Sequence, residues 1–318
     1  MFLFALLLVA CSFASPSNSD RDYTQTHPAP KAFDPNRTQY TCATWTPSSD
    51  TDAEAEQWYR AATLFHAQSW RRTAQELQDM VILYKVATSR GHYRAINNLY
   101  LLYIGTQGAM GDLFDQRPDR ARKWLHYGLE KDWAMAYYWL FDALYEGHAG
   151  YPYNPKLGLA YLQKAVELGV PLAQYELARI YEKNLDNSKT AQLLFECAAK
   201  QGFSAAMDEL STFKWIDGKL NESLLLMHNA VRNGGEKGGE SALLLTDVYS
   251  KSKGILQAFS ATPADPIREA AYHELYVALK GTDTTSGNPF YTFPRLDEVL
   301  PLPPAKTHWK GIYSAMSK

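Results

Sequence analysis

The stretch from Asn154 to Tyr181 constrains this fold more than any other. In it Gly158, Tyr161, Leu162 and Ala165 fall at i, i+3, i+4 and i+7, one face of a helix. Gly169 then stands where a helix C-terminus belongs, because glycine enters the left-handed region without a Cβ clash. Pro171 opens a second helix, where its missing N–H costs nothing. Ala173, Leu177 and Tyr181 stripe that helix at spacings of four. Two such short helices cannot hide both stripes alone, but a pair stacked on further pairs can, so copies are expected.

The copies are present. With Gly169 as position zero, the equivalent anchors are Gly91, Asp132, Gly202 and Gly234, spaced by 41, 37, 33 and 32 residues. Four residues before the anchors come Ala87, Gly128, Ala165, Ala198 and Ala230; eight before come Leu83, Trp124, Tyr161, Leu194 and Leu226. Four after come Ala95, Ala136, Ala173 and Ala206, then Leu99, Leu140, Leu177 and Leu210. The fifth copy keeps this pattern only if four extra residues are allowed, with Ala242 in the alanine slot. Small side chains mark where two helices approach closely, and large ones fill the space beside them.

Gly158-Leu-Ala-Tyr-Leu-Gln-Lys-Ala-Val-Glu-Leu-Gly169, followed by Ala173-Gln-Tyr-Glu-Leu-Ala-Arg-Ile-Tyr181, resembles the Sel1-like repeat, a relative of the tetratricopeptide repeat. The resemblance covers roughly residues 79–250. It implies an all-α fold, an α-solenoid of about five helical hairpins used as a binding scaffold. An N-terminal capping helix over Asp50–Ala67 is expected to present Trp58, Ala61, Ala62 and Phe65, since solenoid ends need covering. Another helix is expected over Pro266–Lys280, with Ile267, Ala271 and Leu275 in line. Gly105–Asp119 and Gly147–Pro155 read as enlarged loops, which are plain insertions or binding loops.

The N-terminus carries a separate signal. Phe2–Val9 is apolar but too short to span a bilayer. Leu8-Val9-Ala10-Cys11 looks like a bacterial lipobox, although no Lys or Arg precedes Arg21. That resemblance implies cleavage before Cys11, lipidation of its thiol and a periplasmic protein held at the outer membrane by a lipid anchor alone. The expected organisation is a signal segment at 1–11, a flexible tether at 12–50 rich in Ser, Thr, Asp and Pro, the solenoid at 51–281 and a proline-rich extension at 282–318. Cys42 and Cys197 can pair in an oxidising compartment or stay as two free thiols; the sequence gives no proximity. In the extension, Phe293–Lys306 is too apolar for a disordered tail, and a strip lying on the last helices is expected. Its Leu-Pro-Leu-Pro-Pro-Ala-Lys run is similar to the tail of certain Sel1-like proteins that resemble immunity proteins encoded beside type VI secretion phospholipase effectors.

No Gly-x-Ser-x-Gly elbow, His-Glu-x-x-His pair or P-loop occurs, and Gly234–Gly239 reads as a turn. No cofactor or metal is expected. A net charge of −2 without a long basic run argues against nucleic acid. With 21 Tyr and 8 Trp, part of the aromatic content suits a protein interface. A protein partner is therefore expected: a phospholipase effector neutralised by an immunity protein, or an envelope partner of an adaptor. A Sel1-like hydrolase such as a β-lactamase is the enzymatic alternative. Helix geometry places the position six before each anchor beside the core, and in tetratricopeptide-like stacks that adjacent face is concave. This column, Lys85, His126, Gln163, Glu196 and His228, joined by Arg122, is the expected partner-binding surface.

Overall fold

A computed structural model describes residues 23–46, 53–66, 73–104, 118–252, 256–280 and Leu296. Among them the regular elements are helices, and no β-strand occurs. A one-turn helix α1 (Tyr23–Thr26) opens the described chain, and α2 (Ala53–His66) follows. Five hairpins come next: α3 (Ala74–Ser89) with α4 (Tyr93–Ile104), α5 (Pro118–Glu130) with α6 (Ala134–Glu146), and α7 (Pro155–Glu167) with α8 (Pro171–Lys183), then α9 (Ser188–Lys200) with α10 (Ser204–Ile216), and α11 (Leu220–Asn233) with α12 (Gly235–Tyr249). A short 3-10 turn (Gln257–Phe259) leads to α13 (Pro266–Leu279). The chain is an α-solenoid.

Local chemistry sets the helix ends. Thr73 and Glu76 form a reciprocal capping box on α3. Asn154 and Asn187 accept backbone N–H groups at the starts of α7 and α9, and Asp265 does so for α13. Four anchors that end the first helices, Gly91, Gly169, Gly202 and Gly234, have positive φ, and so does Asp132.

The periodic columns are the core. Met80, Ala121, Ala191 and Ser223, eleven before their anchors, are fully buried, as are Tyr84, Leu125, Leu162, Phe195 and Met227, seven before. The reason for the small columns is visible at Gly128, where a Cβ would lie 2.9 Å from the Cβ of Ala136. The fifth hairpin obeys the same rule without extra residues. Gly238, four after Gly234, faces Ala230, and a Cβ there would lie 2.6 Å from the Ala230 carbonyl oxygen. The allowance of four residues was therefore unnecessary: glycine, not Ala242, fills the small slot. The second helix of a hairpin packs extensively on the first helix of the next, α6 on α7, α8 on α9 and α10 on α11. One repeat thus completes the burial of its neighbour.

The end helices are rotated from the expected register. In α2 the buried residues are Ala55, Tyr59 and Ala62, while Trp58 is exposed. Tyr59 is preferred inside because it stacks on the buried His92 ring, which is bonded to Glu56 at 2.9 Å. In α13 Ala271, Tyr272, Leu275 and Leu279 face inward, and Ile267 is exposed.

Two apolar clusters result. The larger runs from Tyr23 and Tyr40 to Leu210; the smaller joins Leu224, Met227, Leu245, Tyr249, Phe259 and α13, and includes Leu296. Leu296 is the described residue of the Phe293–Lys306 strip; the rest of that strip, the lipobox with Cys11, and the loop at 105–117 lie outside the described residues.

Candidate functional site

Residues 23–46 fall within the expected tether, yet they lie against the solenoid. Tyr23 sits beside His126, ring centroids 6.4 Å apart, and Trp45 meets Tyr93 edge-on at 5.1 Å. Between them, after α1, the chain is irregular, with turns at 34–37 and 41–43, and many of its contacts are through its main chain. The Tyr181 hydroxyl donates to the Arg37 carbonyl at 2.7 Å and accepts from the Tyr40 hydroxyl at 2.9 Å. The Gln174 side-chain amide donates to the Ala43 carbonyl at 2.9 Å, and the Trp45 N–H donates to Gln201 Oε1 at 2.9 Å. Gln201 also bonds Gln174 and the Gly169 carbonyl, so the two amides are fixed in orientation. Cys42 and Cys197 form a disulfide, which resolves the alternatives left by the sequence. We refer to this segment as the strap.

The strap explains the anchor glycine of the third hairpin. Gly169 has φ +84°, and a Cβ there would come within 2.6 Å of the Trp45 nitrogen and 2.7 Å of the Thr44 carbonyl carbon. Strap main chain therefore lies directly on the α7–α8 turn. Gln174 is fully buried at a position occupied by Ile96, Tyr137 and Met207 in other copies. A polar side chain in an otherwise largely apolar column was the sequence signal for the strap.

The expected partner column does not form one open face. His126 is buried and bonded to the Tyr151 hydroxyl at 2.6 Å; His228 is buried and bonded to the Tyr272 hydroxyl at 2.8 Å. Gln163 is also buried. The reasoning failed because the first helices are covered on a second side as well. Tyr151 of the α6–α7 loop and strap Tyr23 cover α5, and α13 covers α11. Lys85, Arg122 and Glu196 remain partly exposed. Burial lowers the pKa of the Lys85 ammonium, with Arg120 and Lys123 adding to the effect. Arg122 lies over Gly150, where a Cβ would meet its guanidinium at 3.3 Å.

A different row of half-buried ionisable groups runs along the second helices. Asp142 on α6, Glu176 and Arg179 on α8, and Asp208 and Glu209 on α10 belong to it. Tyr175 donates to Glu209 at 3.3 Å, and Arg179 pairs with Glu176 at 3.5 Å. Burial raises the Glu176 carboxyl above its ordinary value, Arg179 opposing and Asp142 adding. Burial likewise lifts Asp208 to about 6, although the Ser241 hydroxyl and Lys237 favour its charged form. At 100° per residue, Glu176 and Arg179 lie on the opposite side of α8 from Gln174 and Tyr181. The strap and the acidic row therefore use opposite sides of the same helix. Among the described residues, no group of three or more His, Cys, Asp or Glu could hold a metal ion, and no helix is long and apolar enough to cross a membrane.

No protein-family model matches the chain, and no curated protein matches it. Solved structures do. Protein 5086 of Pseudomonas aeruginosa (PA5086) is 25% identical, with a TM-score of 0.64, over 85% of this chain and 97% of that one. Immunity protein Pa5087 of the same organism is 25% identical, with a TM-score of 0.63, over 84% and 96%. Immunity protein PA5088 shares the fold at 23% identity and a TM-score of 0.63, over 85% and 96%.

Proposed function

We propose that this chain is an immunity-type binding protein, a solenoid that occupies a toxic effector protein and blocks it. The observation that carries this reading is its likeness to a solved immunity protein over 84% of this chain and 96% of that one. A likeness confined to the repeats would speak only for a shared scaffold. The tail resemblance supports a phospholipase effector of type VI secretion as the target. The Cys42–Cys197 disulfide supports an oxidising compartment, in keeping with a periplasmic protein anchored through a lipidated Cys11.

For the docking face we choose the acidic row with its tyrosines, not the column six before the anchors. Its carboxylates are half-buried and only locally partnered: Arg179 lies beside Glu176, His148 is bonded to Asp142 at 2.8 Å, and Glu209 accepts from Tyr175, while Asp142 and Glu209 raise their neighbours' pKa values. A basic partner surface would relieve that repulsion, and its charges would be partly desolvated on docking.

The test is protection. A type VI secretion phospholipase effector is directed to the periplasm of a heterologous Gram-negative host, with and without this chain. Growth should be restored, and the purified protein should inhibit lipid hydrolysis at equimolar ratio. Lysis that continues unchanged, with no heat of binding in calorimetry, would falsify the proposal. Glu176→Gln with Glu209→Gln should weaken binding by at least about tenfold, the low end for a desolvated charge contact; unchanged affinity would move the interface to Lys85, Arg122 and Glu196.

A further inference from the structure

We propose that the Cys42–Cys197 disulfide is a redox latch on a main-chain-binding groove, and that residues 34–45 are the groove's own tethered occupant. The floor of the groove is the Gly169 turn, which only a residue lacking a Cβ leaves open to main chain. Its walls are Gln174, Tyr181 and Gln201, and they bond the strap at the carbonyls of Arg37 and Ala43 and the N–H of Trp45. These are backbone groups, so the groove reads main chain, turned at 34–37 and 41–43, and little of its sequence. Two side chains add register: Tyr40 packs edge-on to Tyr181, and Arg37 pairs with Glu167 at 2.5 Å.

The latch matters because the strap is shallow. Within residues 28–46 only Tyr40 is buried. Fixing these residues costs conformational entropy that buried Tyr40, the partly buried Phe33 and Trp45 packed against the core, and a few water-exchangeable hydrogen bonds have to offset. The covalent link closes the chain across 155 residues, a constraint large enough to decide between a docked and a released strap. Without it the segment leaves the groove.

Opening requires a dithiol reductant. Its thiolate attacks the half-buried Cys42 sulfur, since Cys197 is only 2% exposed. The S–S bond breaks, Cys197 leaves as thiolate, and the second thiol of the reductant resolves the mixed disulfide. Two electrons and two protons pass to Cys42 and Cys197, and the dithiol becomes a disulfide. The strap then moves away, and the polar walls of Gln174, Tyr181 and Gln201 are uncovered.

Hydrogen exchange on the full chain, oxidised against dithiol-reduced, tests the release. Amides of residues 37–46 should exchange at least ~100-fold faster after reduction, while α6 and α13 keep their slow exchange. Unchanged strap protection overturns the latch, and loss of protection throughout makes the disulfide a staple of the whole fold instead. For the groove, the probe is Gln201→Ala in the oxidised chain, which removes the acceptor of the Trp45 N–H. Exchange at Trp45 should rise at least ~5-fold while the Cys42–Cys197 disulfide still forms. Unchanged exchange at Trp45 overturns the groove. The effector is absent from these measurements, so their outcome is separate from that of the immunity reading.

Discussion

Hairpins one to four share one apolar cluster and carry the strap, whereas α11, α12 and α13 build a second cluster around Tyr249, Phe259 and Tyr272. Between the two, part of the contact is polar. The Ser223 hydroxyl donates to the Ser211 carbonyl at 2.8 Å, and the Ser241 hydroxyl donates to Asp208 at 2.6 Å. The contacts of the strap reach from Tyr93 in the first hairpin to Cys197 and Gln201 in the fourth, ahead of this seam. The two regions are thus held differently, one by a continuous core with a covalent brace, the other by a short core closed by α13. The lesson is that equal repeats need not be equally stable: stability in a solenoid is a sum of local interfaces, and each can be altered separately.

The largest difference should follow removal of the brace. Cys42→Ser with Cys197→Ser frees a loop of 155 residues, an entropic loss of up to about 5 kcal/mol. Melting followed by hydrogen exchange should place that loss in the strap on the first region, with α6 and α13 unchanged. An equal loss in α13 would show that the two regions unfold as one.

Leu275→Ala should do the reverse. Leu275 is fully buried in the second cluster, and its truncation costs roughly 3 kcal/mol. Urea denaturation should lose its later or earlier C-terminal phase while strap protection persists; a strap that loosens equally would join the two regions.

Third, the regions should respond to pH with opposite sign. Burial holds the Asp208 carboxyl at about 6, against an ordinary 3.8. Between those values the folded chain binds more protons than the unfolded one, so this contribution to stability falls as pH rises. The full penalty, roughly 2–3 kcal/mol, is present above the folded value. In the first region burial lowers the His92 imidazole pKa, with Glu56 opposing. The folded chain there binds fewer protons, and stability is lost as pH falls through the ordinary histidine value. Acidification should therefore loosen α2 to α4 and tighten the Asp208 seam. Asp208→Asn keeps an acceptor for Ser241 and should stabilise the seam by about 2 kcal/mol near neutrality, with little effect near pH 4. A variant less stable than wild type at both pH values would refute this account.

The smallest effect should come from Arg37→Ala. Its pair with Glu167 is partly exposed on both sides, and such pairs are worth about 0–1 kcal/mol. A loss well above that, measured by thermal melting, would mean the strap is held by charge more than by its disulfide.

Much of the fold was legible because helix packing leaves periodic marks. Ala87, Gly128, Ala165, Ala198 and Ala230 are all buried where the columns put them. The ends were less legible: α2 packs mainly on α3 and α13 mainly on α12, and the stacking of Tyr59 on His92 sets a rotation that hydropathy alone does not reveal. The partner column was misjudged because His126, Gln163 and His228 are polar, and polarity in a helix was equated with exposure. Two of them are polar inside because Tyr151 and Tyr272 supply hydrogen bonds from other elements.

What the sequence by itself determined is the repeat: helix lengths, turn glycines and the small and large columns, because these obey the local 3.6-residue period. What only the tertiary structure decided is where residues 23–46 go, which Cys meets which, and which polar side chains are covered. Those outcomes depend on segments far apart in sequence meeting in space, as Cys42 meets Cys197 across 155 residues. No local period records such a meeting, since the chain between can close a loop of that length at almost the same entropic cost whatever its sequence.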